Sequence, residues 1–286
     1  MKRREFLTSS VAAAGLGTLL AGTTAEAEEA AAPVAREFYE LRLYHLRVGP
    51  KTELFDRFYS EAKIPALNRA GVERVGVFSV AVGPESPTMY VLLAHKSMES
   101  VMVTADRLAA DAEYQKAGAE FLNASAADAA YVRVESSLMI AFAGMPKLEV
   151  PAVMAPKGLA GMTRTQHEGG VTYRPNPPIF ELRTYESHSK KANKKKIEMF
   201  NTGEIDIFRR NGLQPVFFGE TLIGAHLPNL TYMLAFENQA AHDKNWAAFG
   251  ADPDWKKLSH TPGYTNAEIV CNISNVFLRP AAYSQI

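Results

Sequence analysis

The chain is poor in the features on which disulfide-bonded, nucleic-acid-binding and membrane-spanning proteins depend. Its 286 residues include a single cysteine, Cys271, so an intrachain disulfide is excluded. Basic and acidic residues number 31 each, and the basic surplus typical of a nucleic-acid-binding domain is therefore absent. Hydrophobic residues make up 47% and charged residues 22%, which is typical of a globular protein that buries a core.

The amino-terminal segment lacks an apolar run long enough to span a membrane comfortably. The charged start "KRREFL" is followed by a weakly apolar run and by the small-x-small sequence "AEA", which ends at Ala27. This order predicts a bacterial twin-arginine signal peptide over residues 1–27, with cleavage after Ala27 or, alternatively, after Ala32. We therefore expect a periplasmic or otherwise exported protein whose mature chain has no transmembrane span.

What the sequence does have is an internal repeat. The stretch "FYELRLY" at 38–44 is written almost unchanged as "IFELRTY" at 179–185, an offset of 141 residues. Further matches keep this offset, including "DAEYQK" with "DPDWKK". Such in-phase matches predict two copies of one module, residues 37–143 and 178–281. The Pro- and Gly-rich segment 144–177 between them has no periodicity and is predicted to be a linker.

Each module has the pattern of a β-α-β-β-α-β unit, the ferredoxin-like split βαβ. Its first helix is expected to end at Gly71 or Gly212, and Pro65 is expected to bend or break that helix in the first copy. An antiparallel sheet with helices on one face leaves an apolar face bare. We therefore predict an α+β fold in which the two sheets pack face to face within one chain, as in dimeric α+β barrels.

The first strand of each module carries charged side chains on alternate positions. In the first copy Glu40, Arg42 and Tyr44 share one face of the strand, and the other face is apolar. We expect the apolar face to meet the helices. The Glu/Arg/Tyr set of each copy should then face the space between the two sheets or the mouth of that space. The second copy repeats this set as Glu181, Arg183 and Tyr185.

The closing strand of the first module also alternates charge, at Arg133 and Glu135. First and last strands are neighbours in the ferredoxin-like order, so we expect Arg42 to pair with Glu135, and Arg133 with Glu40. One interpretation is that these are structural ion pairs that fix the register of the strands, because an unpaired buried charge is costly. The other is that they line a cavity that binds or transforms a small molecule.

Familiar catalytic and metal-binding motifs are absent. The sequence has no Gly-rich phosphate fingerprint, no nucleophile elbow and no Ser/His/Asp signature, and its seven histidines lack the spacing of helical or finger-type metal sites. No metal site and no cofactor are therefore predicted. His45 and His188 follow the two repeated strands closely, which leaves a haem-ligand role open as an alternative to ordinary surface or hydrogen-bonded histidines.

The repeat diverges at its aromatic residues. Trp246 and Trp255 of the second copy correspond to Ala105 and Tyr114 of the first. Aromatic side chains at these positions are expected to fill the layer between helices and sheet. Alternatively, Trp246, Trp255 and Tyr114 wall a ligand pocket.

Two smaller features have ordinary interpretations. Cys271 alternates with isoleucines, which predicts a buried thiol on a strand. The basic cluster "KKANKKK" at 190–196 is expected to be a solvated helix start, with an anion or membrane-surface contact as the alternative.

Together, "YELRLY", "FELRTY", the helix ends "RAG" and "RNG", and the pattern W-x-x-F-x-x-D-P-D-W resemble the NIPSNAP family, here as two tandem domains over the whole mature chain. The resemblance implies a fold similar to the dimeric α+β barrels. Some of those proteins are cofactor-free monooxygenases, some bind haem, and some bind small molecules without known catalysis. The first copy departs from the family pattern where Ala105 and Tyr114 replace the tryptophans.

Three functions are consistent with these observations. We expect a protein that binds a small, partly apolar ligand between sheet and helices. An oxidoreductase of the monooxygenase type is the first alternative; there the repeated arginine holds an anionic oxygen, the glutamate acts as base and the tyrosine donates a hydrogen bond. The second alternative is a scaffold whose sheet interface serves assembly, and a homo-oligomer is compatible with all three. Whether any reaction is catalysed stays open at this stage.

Overall fold

The computed structural model describes residues 34–154 and 178–286, together with the short strand pair Gln166–His167 and Gly170–Val171. Eight strands carry the fold, four from each module. The first module contributes β1 (Phe38–Leu46), β2 (Arg74–Val82), β3 (Thr88–His95) and β4 (Tyr131–Ala141). The second contributes β5 (Ile179–Glu186), β6 (Gln214–Ile223), β7 (Asn229–Phe236) and β8 (Asn272–Pro280).

The eight strands form one closed antiparallel barrel in the order β1-β3-β2-β8-β5-β7-β6-β4. Within each module the order is that of the ferredoxin-like fold, with the first strand between the third and the fourth. The two modules join where β8 pairs with β2 and where β4 pairs with β6. These two pairings cover the strands that would otherwise be the edges of each sheet. The predicted fold class is confirmed, and edge pairing closes the barrel.

The barrel interior is filled by the apolar face of the first strands. Tyr39 and Leu41 from β1 pack there with Phe180 and Leu182 from β5 and with apolar side chains from the other strands. The expectation that this face meets the helices is therefore wrong. Closing the sheet makes its inner face the driest place in the molecule, and the inner face takes the uncharged set.

Helices cover the outside of the barrel. In the first module these are α1 (Lys51–Arg57), α2 (Ile64–Arg69), α3 (Met98–Ala110), α4 (Ala112–Ala117) and α5 (Ala119–Leu122). In the second they are α6 (Lys190–Met199), α7 (Ile205–Arg210), α8 (Gln239–Ala251), α9 (Pro253–Ser259) and α10 (Asn266–Ile269).

A π-helical turn interrupts the first helical segment of each module. It runs from Phe58 to Lys63 between α1 and α2, and from Phe200 to Glu204 between α6 and α7. Pro65 is the second residue of α2, directly after the π-helical turn, and the helix continues through it. Because the second copy makes the same turn without a proline, Pro65 is not its cause.

The segment that follows the first module does not behave as a simple linker throughout. Leu148 and Met154 are buried against the barrel interior, and the Leu148 N–H donates to Glu37 at 2.7 Å. The predicted signal peptide lies outside the described residues. Among the residues that are described, no helix is long and apolar enough to cross a membrane.

Candidate functional site

In the first module, Glu40 and Arg42 lie between the barrel wall and the helices. They form a bidentate ion pair along one strand: Arg42 Nε and Nη2 donate to the two Glu40 oxygens at 2.6 and 2.7 Å. Ser136, opposite Arg42 on β4, donates to the same carboxylate at 2.9 Å. Burial works to raise the pKa of Glu40, but the hydrogen bonds and charge of Arg42 outweigh it, and the pKa lies below its usual value.

A groove of about 340 Å3 opens above this ion pair, between the sheet and α3. We call it the α3 groove. Polar groups form its floor and one end, and the apolar side of α3 forms its wall. Its lining residues are Glu40, Arg42, Lys63, Val101, Thr104, Ala105, Leu108, Ala109, Tyr114 and Gln115.

Lys63 is the unusual member of this groove. Its side chain is buried, and its ammonium donates to the Tyr114 hydroxyl at 3.1 Å and lies 4.9 Å from the centre of that ring. Within the described part of the chain, no carboxylate lies within ion-pair distance of it. Burial and then the positive charge of Arg42 lower the pKa of Lys63 to about 8, against a smaller opposing effect of Glu40.

His95, the last residue of β3, lies beside the Glu40 carboxylate. It is fully buried, its Nδ1 lies 3.1 Å from the Ser100 hydroxyl, and its Nε2 lies 4.0 Å from Glu40 Oε2 without a hydrogen bond. Burial lowers the pKa of His95, which keeps the ring neutral near pH 7.

Tyr44, the third member of the predicted set, does not line the groove. Its ring packs edge-on against Phe55, Tyr59 and Tyr131 at centroid distances of 5.2 to 5.7 Å. It belongs to the core between sheet and helices. The expectation that the Glu/Arg/Tyr sets face the space between the two sheets is wrong for both modules, since all six residues lie on the helix side.

The matching region of the second module is closed. Glu181 is almost fully buried and its carboxylate has four partners. Oε1 accepts from Arg183 at 2.6 Å and from Asn275 at 3.0 Å; Oε2 accepts from Trp246 at 2.9 Å and lies 3.3 Å from His242 Nε2. Every lone pair of this carboxylate that the fold can reach is used, which is the arrangement of a structural ion pair.

Trp246 fills the volume that stays open in the first module. Its indole lies against the Arg183 guanidinium, 4.9 Å from ring centre to Cζ, and packs on Phe208 and Phe249. Position 246 corresponds to Ala105, a lining residue of the α3 groove. Trp255 likewise packs on Phe249, so both tryptophans fill the layer between helices and sheet.

A second difference lies at the π-helical turns. Glu204 ends the turn of the second module and forms a buried ion pair with Lys196 at 2.8 Å. At the offset of 141 residues, Lys63 of the first module corresponds to Glu204 of the second, and Phe55 corresponds to Lys196. The first module thus has a cation in place of the anion, and among the described residues no carboxylate forms an ion pair with it. The prediction of a solvated lysine cluster is wrong for Lys196, which is 1% exposed.

Arg133 and Glu135 occupy a different place, the mouth of the barrel in the first module. Arg133 pairs with Glu135 at 2.9 Å and with Glu85 at 3.0 Å, and His45 lies between the two glutamates. The predicted pairs Arg42–Glu135 and Arg133–Glu40 are therefore wrong, because β4 turns these side chains to the other face of the sheet. An open groove of about 380 Å3 adjoins them.

The histidines give no support to a metal or haem site. His45 is held by glutamates and His188 is exposed. In the described ranges, no group of three or more His, Cys, Asp or Glu side chains could hold a metal ion. Cys271 is exposed at a bend before β8, so the prediction of a buried strand thiol is wrong.

Lys63 of the groove, and His95 and Ser136 beside the Glu40 carboxylate, are not among the residues predicted from the sequence. One signal was available for the first. Aligning the copies at the offset of 141 sets Lys63 against Glu204, a reversal of charge at an otherwise matched helix. Nothing in the pattern marks His95 or Ser136, whose roles depend on strand pairing.

Comparison with solved structures shows the fold. A protein from Fusobacterium nucleatum described as a proposed monooxygenase superposes with a TM-score of 0.51 at 8% identity, covering 86% of this chain and 93% of that one. A NIPSNAP-like domain protein from Burkholderia xenovorans is 20% identical over 38% of this chain and 90% of its own, with a TM-score of 0.35. A NIPSNAP family protein of unknown function from Agrobacterium tumefaciens is 19% identical over 38% of this chain and 92% of its own, with a TM-score of 0.33.

A comparison with curated proteins gives no match. The NIPSNAP family model matches twice, over residues 39–143 and 180–285. These two matches cover the strands and helices of both modules, and they confirm the tandem arrangement that the repeat predicts. The chain therefore belongs to the NIPSNAP family.

Proposed function

We propose that the first module binds a small organic anion with an apolar body in the α3 groove. One observation carries the proposal: the groove is open in the first module, where Ala105 stands, and is filled by Trp246 in the second. Two modules of one fold thus share the Glu/Arg pair but differ in the space above it.

The charge of the groove favours an anion. Arg42 and Lys63 bring two positive charges, and Glu40 brings one negative charge. A buried charge without a partner lowers stability, and a ligand carboxylate or phosphate beside Lys63 would remove that penalty. The second module needs no such anionic ligand, because Glu204 already neutralises its buried lysine, Lys196.

The wall of the groove favours an apolar body on the ligand. Val101, Ala105, Leu108 and Ala109 present hydrocarbon along α3. A volume of about 340 Å3 is at the small end of the range of about 300 to 1,000 Å3 usual for ligand pockets. Short aliphatic or single-ring carboxylates fit both the size and the charge.

The monooxygenase alternative has less support from this geometry. A general base needs a pKa near the working pH, whereas both oxygens of Glu40 are engaged by Arg42 and its pKa is lowered. Tyr44 packs in the aromatic core, away from the groove. The description of the Fusobacterium nucleatum protein as a proposed monooxygenase belongs to that protein.

Isothermal titration with 4-methylbenzoate tests the proposal, and its methyl ester is the uncharged control. The wild-type protein should bind the carboxylate and not the ester. Ala105→Trp should abolish binding, because it places an indole where Trp246 closes the second module. The matched control is Met102→Trp, which adds the same ring to the exposed side of α3, outside the groove.

Two results would overturn the proposal. If Ala105→Trp bound the carboxylate as tightly as the wild type, the groove would not be the binding site. If the ester bound as well as the carboxylate, the charge of the groove would have no part in recognition. Met102→Trp should bind like the wild type, which separates loss of the groove from general damage to α3.

Export is a further part of the proposal. The signal-peptide prediction for residues 1–27 is the only support for it, from the order of charged, apolar and small residues. Amino-terminal sequencing of protein from the periplasmic fraction should begin at Glu28, or at Pro33 for the alternative cleavage site.

A further inference from the structure

The α3 groove holds a primary amine beside the place where the body of a ligand would lie. We propose that Lys63 forms a reversible covalent bond, an imine, with groove ligands that carry an aldehyde or ketone group. The inference rests on the proposed function, since it takes the α3 groove as the ligand site. It adds the chemical class of the ligand, an oxo-carboxylate or another carbonyl compound with an anionic group.

The geometry leaves the amine available. Lys63 lines the groove, is 8% exposed, and makes one hydrogen bond, to the Tyr114 hydroxyl, with no carboxylate at ion-pair distance in the described residues. Lys196 provides the internal comparison: it is 1% exposed, Glu204 holds its ammonium at 2.8 Å, and aromatic rings lie against it. A lysine locked in that way cannot act as a nucleophile, whereas Lys63 can.

The surroundings also favour the free base of this amine. Burial, with the Arg42 guanidinium second, lowers the pKa of Lys63 to about 8. At pH 7 the fraction present as free amine is on the order of a hundred times that of a surface lysine with an ordinary pKa. The effect supports the inference because the unprotonated amine is the form that attacks a carbonyl carbon.

The step is balanced without an oxidant or a reductant. The Lys63 lone pair forms a C–N bond to the carbonyl carbon, and the carbonyl π electrons move to oxygen, which takes a proton. Of the two protons that the nitrogen loses, one restores the donor of the first proton and the other goes to the oxygen, which leaves as water while a C=N bond remains. Tyr114, whose hydroxyl lies 3.1 Å from Nζ, is placed to supply the proton to the oxygen. Its pKa is raised to about 12 by burial, so it keeps that proton near neutral pH.

Reductive trapping tests the inference. The purified protein is incubated at about pH 7 with 4-formylbenzoate and cyanoborohydride, which reduces an imine to a stable secondary amine, and the adducts are located by peptide mass mapping. We expect Lys63 to be labelled at least about tenfold faster than Lys96, an exposed lysine whose ammonium pairs with Glu73. Excess 4-methylbenzoate, which has no carbonyl group to react, should slow the labelling of Lys63 alone.

Variants and a binding measurement keep the two proposals apart. Lys63→Arg should lose the adduct at position 63, and Ala105→Trp should reduce labelling of Lys63 to the level of Lys96. If 4-methylbenzoate binds but Lys63 is labelled no faster than Lys96, the imine inference is overturned and the proposed function stands. If 4-methylbenzoate does not bind and Lys63 is not preferentially labelled, the proposed function fails as well.

Discussion

The two modules share a Glu/Arg pair in sequence but surround it with different side chains. Each has a Glu/Arg pair on its first strand, beneath a helical layer. In the second module that pair is closed over by Trp246, His242 and Asn275. In the first module it faces a groove. The same two side chains are therefore enclosed in one module and line an open groove in the other.

The difference teaches that the repeated strand does not itself decide the function. The decisive positions are the ones at which the copies disagree: Ala105 against Trp246, and Lys63 against Glu204. The first exchange opens space, and the second removes the partner of a buried charge. Both exchanges meet at the α3 groove, which is why we propose the ligand site there.

The largest effect on stability is expected at the buried Lys196–Glu204 ion pair of the second module. Glu204→Gln leaves the Lys196 ammonium buried without its carboxylate, and should lower the free energy of unfolding by about 3 to 5 kcal/mol. Urea denaturation measures the change. The control is Glu220→Gln, which removes the partner of the exposed Lys194 and should cost at most about 1 kcal/mol. Equal costs for the two variants would contradict the distinction between buried and surface pairs.

Trp246→Ala should weaken the second module and make it resemble the first. It removes a partly buried indole and one hydrogen bond to Glu181, so we expect a loss of about 2 to 3 kcal/mol in the free energy of unfolding. Calorimetric unfolding gives the loss, and titration with 4-methylbenzoate reports whether the new space binds. Binding should stay weak, because Glu204 keeps that region neutral. Binding as tight as at the α3 groove would show that space alone is sufficient.

The third prediction concerns Lys63 in the α3 groove and the pH dependence of the free energy of unfolding. The pKa of Lys63 is about 8 in the folded protein, against an ordinary value of 10.5, so between these two pH values the unfolded chain holds more protons. The free energy of unfolding should then increase with pH across this window. Between about pH 7 and about pH 10 the wild type should gain about 2 kcal/mol more than Lys63→Met, measured by urea denaturation. If the free energies of unfolding of the two proteins changed in parallel with pH, the pKa of Lys63 would not be lowered in the folded protein.

The fold followed from the sequence because its signals are periodic. An offset of 141 residues and alternation along the strands are visible without coordinates, and closing the barrel needs nothing more than two such modules. Alternation separates two faces but does not say which of them is inside. Tyr39 and Leu41 fill the barrel, and the charged set lies under the helices, where a groove gives partial access to water.

The site could be predicted only in part. Glu40 and Arg42 were found from their alternation, but Lys63 sits at the end of a π-helical turn, which changes the register of the helix and breaks the period of 3.6 residues. Cys271 was misplaced for a related reason. A short helix, Asn266–Ile269, precedes it, and β8 begins only at Asn272.

The closure of the barrel within one polypeptide has a genetic consequence. A barrel assembled from two identical chains would receive every substitution twice, at both symmetry-related positions. Here the two halves are separate stretches of one gene, so alanine at 105 and tryptophan at 246 are independent choices. The two halves of the barrel can therefore differ at corresponding positions, as they do at 105 and 246, so that one half is packed shut and the other has a groove.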